Sequence, residues 1–121
     1  MVRVEFFTNK ESGSITLKVT GHAGQAKKGE DIVCASVSIL AYTVAQAIQF
    51  MFEEGDLQKK PLIRLEEGNT TIVARPKAES YTEALHTFFV AQVGYYLLAQ
   101  NYPQYVALSS FGDSNDEAKH K

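Results

Sequence analysis

VRVEFFTNKESGSITLKVT, residues 2–20, alternates apolar and polar side chains on either side of a turn. Val2, Val4 and Phe6 share one face of the first half, with Arg3 and Glu5 on the other. In the second half Ile15, Leu17 and Val19 point one way, and Thr16, Lys18 and Thr20 the other. A period of two is that of a half-buried strand. Lys10 to Gly13 carries turn residues, so the stretch predicts a β-hairpin. Further along, Val33, Val37, Leu40, Val44, Ile48 and Met51 recur at spacings of three and four, which predicts a helix over Ile32 to Glu54. Asp31 is the expected N-cap, Glu30 and Asp31 together suit the positive end of the helix dipole, and Gly55 is the expected stop.

A second hairpin is predicted from Pro61–Glu66 and Thr70–Arg75, joined by Glu67-Gly68-Asn69. A second helix should run from a cap at Glu79 or Ser80 to about Asn101, where Tyr102-Pro103 ends it. Leu85, Phe88, Phe89, Gln92, Tyr95, Tyr96 and Ala99 lie near one broad face of it. Tyr105 to Leu108 would add a short edge strand. The order is ββα-ββα, with no residue-level repeat between the halves. It predicts an α+β fold, an antiparallel sheet packed against two helices in a two-layer sandwich. The other sheet face must then be solvated or covered, and a second copy of the chain is a natural cover. Residues 1–112 should form one domain, and the polar residues 113–121 a disordered tail.

Composition narrows the function classes. A chain of 121 residues can bury a core without disulfide or metal staples. A hydrophobic fraction of 45% and a charged fraction of 21% are those of an ordinary globular protein. The net charge of -2 argues against wholesale binding to nucleic acid or anionic membrane. One cysteine rules out an intramolecular disulfide, and a reducing cytoplasm fits best. Met1 to Thr8 lacks the long apolar core and small-residue cleavage site of a signal peptide. The apolar stretch Ile32 to Phe52 is broken by Ser36, Ser38, Thr43, Gln46 and Gln49, so it reads as a buried helix rather than a bilayer span.

The chemistry-bearing residues gather around Gly21 to Ser38. Gly21, Gly24 and Gly29 sit in a stretch with no apolar period, which predicts a loop between strand and helix. Cys34 is the only thiol. A lone cysteine is ordinarily a buried small hydrophobe. Against that, Cys34 falls about three residues into the predicted helix, where free N–H groups and the dipole favour a thiolate. Asp31, Cys34 and Ser38 also make a polar stripe at spacings of three and four on an otherwise apolar helix. His22 stands at a strand end with Gly21 and Gly24 close by, where other backbone can approach. Thiol and imidazole are the minimum pair for thiol nucleophilic catalysis. His86 and His120 read as bland, and one cysteine with two distant histidines lacks zinc-ligand spacing, so no metal or other cofactor is expected. The glycines match neither a dinucleotide fingerprint nor a P-loop. Lys27 and Lys28 read as solvated.

Gly21-His22-Ala23-Gly24, Gly29-Glu30-Asp31-Ile32-Val33-Cys34-Ala35 and Val37-Ser38 together resemble the signature of the ribosomal-processing cysteine proteases. These small bacterial enzymes remove the N-terminal extension of a large-subunit ribosomal protein, cutting just after a pair of aromatic residues. The resemblance implies that His22 and Cys34 are the catalytic dyad, that Asp31 and Ser38 belong to the site, and that the chain is a homodimer. It implies a thiol protease whose partner is that extension; with the composition above, the expectation is a cytoplasmic enzyme with no cofactor, no membrane and no direct nucleic-acid contact.

The expected chemistry follows. His22 takes the Cys34 proton, the thiolate attacks the scissile carbonyl, and water releases the acyl-enzyme. Backbone N–H groups of Cys34 and Ala35 are the expected oxyanion donors. The loop from Ala23 to Gly29, with Gly21 and Gly24 at its start, is expected to close over the peptide. Two other classes compete: a non-catalytic ribosome- or RNA-associated binding module with Cys34 in its core, and a thiol redox sensor, which the absence of a resolving cysteine weakens.

Overall fold

The predicted alternation builds the first two strands. Val2–Asn9 (β1) and Ser14–Thr20 (β2) pair antiparallel, with Val4 opposite Val19 and Phe6 opposite Leu17. Asn9 closes the turn by accepting from the Glu11 and Ser12 N–H groups at 3.0 and 3.1 Å. The computed structural model describes residues 1–22, 28–109 and 112–113, of which 28–31 and 112–113 by backbone alone. Lys28–Glu53 forms the first helix (α1), Leu62–Glu66 (β3) and Asn69–Ala74 (β4) the second hairpin, and Tyr81–Asn101 the second helix (α2), entered through a 3-10 turn at Ala78–Ser80. Val106–Leu108 (β5) and Gly112–Asp113 (β6) follow.

The described strands join in the order β3-β4-β2-β1-β5, with β6 pairing farther along β1. Both helices pack on one face, so the α+β two-layer arrangement stands. The sheet, however, is mixed rather than antiparallel. β5 and β6 both run parallel to β1, Val2 lying beside Val106 and Thr8 beside Asp113. The cause is connectivity: α2 carries the chain back across the sheet, so the strand after it enters in the direction of β1. Asp113, expected to open the tail, is therefore in a strand, and residues 114–121 lie outside the described residues.

The inward side chains are those of the sequence pattern. Val4, Phe6, Ile15 and Leu17 from the sheet are fully buried with Val33, Val44 and Ile48 from α1, and Ile72 from β4 joins them. By length and a mean hydropathy of 1.6, Ile32–Glu53 would suffice to cross a bilayer. In this fold its apolar side is instead core for the sheet. α2 differs from expectation. It buries Ala84, Phe88, Ala91 and Tyr95, while Phe89 and Tyr96 lie exposed on another side with Val93 and Leu97. The helix is apolar on two faces, and only one meets the core. The outer sheet face carries exposed Arg3, Lys18 and Arg64 beside a cross-strand row of Phe7, Thr16, Val73 and Leu62.

One buried polar contact ties the layers together. The Tyr95 hydroxyl donates to the Val37 carbonyl at 3.0 Å, joining α2 to α1, and its ring packs on Phe6 of β1 with centroids 6.1 Å apart. Burial pushes the Tyr95 pKa up from its ordinary value. The unfolded chain, with a tyrosine pKa near ~10, therefore releases its proton first. Stability contributed by Tyr95 is complete below about pH 10 and is lost as pH rises above it. Tyr95→Phe should cost about 1 kcal/mol at pH 7 and lack that part of the alkaline loss. Urea unfolding at neutral and strongly alkaline pH checks this; equal alkaline slopes in both proteins would contradict it.

Candidate active site

Three separate parts of the chain meet at the end of the sheet where β1 begins and β2 ends. There they enclose a cleft of about 300 Å³. Its floor is apolar, from Val2, Val19, Val37 and Ala41, and Tyr42 and Leu65 extend it outward. Cys34 and Ser38 line it from α1, one turn apart on the same side of the helix. His22 enters from the end of β2, and Glu66, Glu67, Gly68 and Asn69 close it from the β3–β4 turn.

Helix periodicity explains the placement of the thiol. Val33 and Val37 are buried, so their neighbours Cys34 and Ser38 fall at the margin of the buried stripe. Cys34 is exposed, and the alternative of a buried core thiol is set aside. α1 begins earlier than the expected cap, at Lys28 rather than after Asp31. Asp31 therefore lies within the helix and is not its cap, and Gly29 belongs to the helix rather than to the loop. Cys34 becomes the seventh helical residue, beyond the first turn in which the dipole acts most strongly. Its N–H group and that of Ala35 are engaged with carbonyls four residues earlier. The two expected oxyanion donors are thus not free in this structure, because the helix extends past them toward the N-terminus.

His22 is held by backbone on several sides. Gly21 takes φ +90°, which a glycine adopts without strain, and a Cβ there would run into the Met1 carbonyl. The Met1 amino group donates to the His22 carbonyl at 2.6 Å, and the Gly21 N–H donates to the Gly68 carbonyl at 3.1 Å. The sheet register that sets Thr20 opposite Asn69 brings these turns together. Among the described residues, neither the His22 imidazole nor the Cys34 thiol has a hydrogen-bond partner, so the two share the cleft without a bond between them.

Of the residues expected at the site, His22, Cys34, Ser38 and Gly21 are brought together. Ala23 and Gly24 lie outside the described residues, as does the side chain of Asp31, and with them most of the loop expected to close over substrate. Sequence reasoning missed the β3–β4 turn as the opposite wall. Glu67-Gly68-Asn69 reads locally as a turn and nothing more; only strand register carries it to His22. No three of His, Cys, Asp and Glu among the described residues gather closely enough to hold a metal ion.

A shared cleft with an exposed thiol, an imidazole and an apolar floor suits thiol attack on a peptide carbonyl. Comparison with known proteins agrees. SMU.848 from Streptococcus mutans has the same fold, with a TM-score of 0.65 at 23% identity, over 94% of this chain and 96% of that one. The essential ribosomal processing protease Prp from S. aureus, solved with a covalently linked product peptide, gives 0.65 at 24%, over 92% and 99%. The same protease with a substrate peptide gives 0.64 at 22%, over 92% and 99%. No curated protein matches the sequence. The family described as cysteine protease Prp matches residues 1–107, which include every candidate site residue, and the chain belongs to that family.

Proposed function

We propose that this cysteine protease removes the N-terminal extension of a large-subunit ribosomal protein, with Cys34 as nucleophile and His22 as its base. The observation that carries the residue assignment is that the sole thiol is exposed in the same cleft as His22. His22 takes the proton from the Cys34 sulfur, and the thiolate adds to the scissile carbonyl carbon. The C–N bond then breaks as the imidazolium returns its proton to the leaving amine, leaving a thioester. Water, deprotonated by His22, hydrolyses the thioester and restores the thiol. With Cys34 beyond the first helical turn, its activation rests on His22 more than on the helix dipole.

The cleft favours the extension as substrate. Val37, Ala41, Leu65 and Tyr42 offer an apolar surface to the bulky aromatic side chains that precede the family's cleavage site. Ser38 is one turn from the thiol and within the cleft, suited to bonding the thiol or the substrate. In this reading Asp31 orients His22. Use of the Cys34 and Ala35 N–H groups as oxyanion donors requires α1 to unwind ahead of Cys34 on binding. The reading also includes a cytoplasmic homodimer. Phe89, Val93, Tyr96 and Leu97 recur on one exposed side of α2, and Ile39 is exposed on α1. That apolar surface lies on the helical layer and is the dimer contact of this reading.

Three outcomes are expected. A ribosomal precursor bearing the extension should be cleaved by the wild type, not at all by Cys34→Ala, and about 10²–10⁴-fold more slowly by His22→Ala, the usual range for a general base. Cleavage by Cys34→Ala would overturn the assignment. Iodoacetamide should modify native Cys34 fully without denaturant; reaction only on unfolding would favour a binding module with a core thiol. Val93→Lys with Tyr96→Glu should turn a dimer into a monomer by sedimentation, and an unchanged dimer would place the contact elsewhere.

A further inference from the structure

The β3–β4 turn lines the same cleft as the thiol, and one of its residues meets the His22 imidazole. Gly68 holds φ +76° between β3 and β4. A Cβ built on it would lie 2.7 Å from His22 Nε2 and 2.8 Å from His22 Cε1. The imidazole edge therefore rests in the space that any other residue would fill. The same residue accepts the Gly21 N–H at 3.1 Å, so one glycine fixes the backbone just before His22 and receives the ring itself. By contrast Gly55 also has a positive φ, +84°, but a Cβ there would meet nothing within 4 Å. A ring seated over the glycine is thus a feature of Gly68 and not of every left-handed glycine in the fold.

We infer that Gly68 is a positioning residue for the protease reaction: its missing side chain is the seat that holds the His22 imidazole in the cleft with Cys34. This rests on the reading of His22 as the base. The physical case turns on what yields when the seat is filled. The obstructed atoms belong to the far end of a side chain with two free torsions, not to backbone. A methyl group at residue 68 would swing the ring away and leave the hairpin paired. The loss then falls on the geometry of proton transfer, where a displacement near ~1 Å can cost ~10²-fold in rate. Strain and obstruction are separable, because asparagine tolerates a positive φ better than alanine yet carries the same Cβ.

Gly68→Ala, Gly68→Asn, Gly55→Ala and His22→Ala are compared for cleavage of the ribosomal precursor, for thermal unfolding, and for the imidazole Cε1–H resonance of His22, assigned by its absence in His22→Ala. Gly55→Ala carries the backbone strain without the obstruction. The expected result is a fall in kcat of about 100-fold in both Gly68 variants, with KM little changed, and a shifted His22 resonance. Gly55→Ala should lose stability as Gly68→Ala does, yet keep kcat and the resonance. Recovery of kcat in Gly68→Asn would reduce the effect to strain and overturn the proposal. So would a normal kcat and an unmoved resonance in Gly68→Ala while His22→Ala is inactive. If His22→Ala cleaves normally, the reading of His22 as the base fails, and the resonance alone then decides whether Gly68 seats the ring.

Discussion

Val33, Val37, Val44 and Ile48 share one apolar cluster with Phe6, Leu17 and Ile72, and that contact sets where α1 lies on the sheet. Each such side chain stabilises the fold by about 1.5–3 kcal/mol when fully buried. A helix is stiff, so seating one side of it aims the others. Cys34 follows Val33 directly, and Ser38 follows Val37; their positions at the cleft are the complement of their neighbours' burial. Tyr95 adds a directional restraint. Its hydroxyl holds the Val37 carbonyl while its ring lies on Phe6, so the thiol's helix is referenced to the strand beside the one that carries His22.

The site is built at an open end of the sheet because several chain reversals converge there. β2 leaves the sheet at Gly21, β1 enters it at Val2, and the β3–β4 turn reaches the same level through the pairing of Thr20 with Asn69. Each reversal exposes backbone that must be paired. The bonds that pair it, Gly21 to Gly68 and Met1 to His22, also restrain the histidine. The thiol comes from the helical layer and the imidazole from the sheet layer. Their relative placement is therefore a property of how the layers dock, not of the short stretch of sequence that separates them.

Much of the fold was legible in sequence because its elements announce themselves locally. Val2, Val4 and Phe6 repeat with the strand period, and Val33, Val37, Val44 and Ile48 with the helix period, and all are buried. What failed to show was anything requiring partners far along the chain. The parallel placement of β5 and β6 beside β1 depends on the return path of α2, which no residue of β5 encodes. The start of α1 is hidden because Asp31 is a good cap residue, yet the helix continues back to Lys28. The second apolar side of α2 blurred which aromatics face the core, since Phe89 and Tyr96 are as hydrophobic as buried Phe88 and Tyr95.

For the site, the sequence by itself determined which groups are candidates for the chemistry. A single thiol, a histidine flanked by Gly21, and the spacing of Cys34 to Ser38 on one helix side are all local facts, and they carry the family signature. Only the tertiary structure decided that Cys34 is exposed, that it shares a cleft with His22, and that Gly68, 46 positions after His22 in the numbering, provides the space the imidazole occupies. The physical reason is the difference in range. Backbone dihedrals and hydrophobic period act over a few residues and leave their mark in sequence. A void filled by another residue's ring is created by strand register and layer docking, and it exists only once the chain has folded.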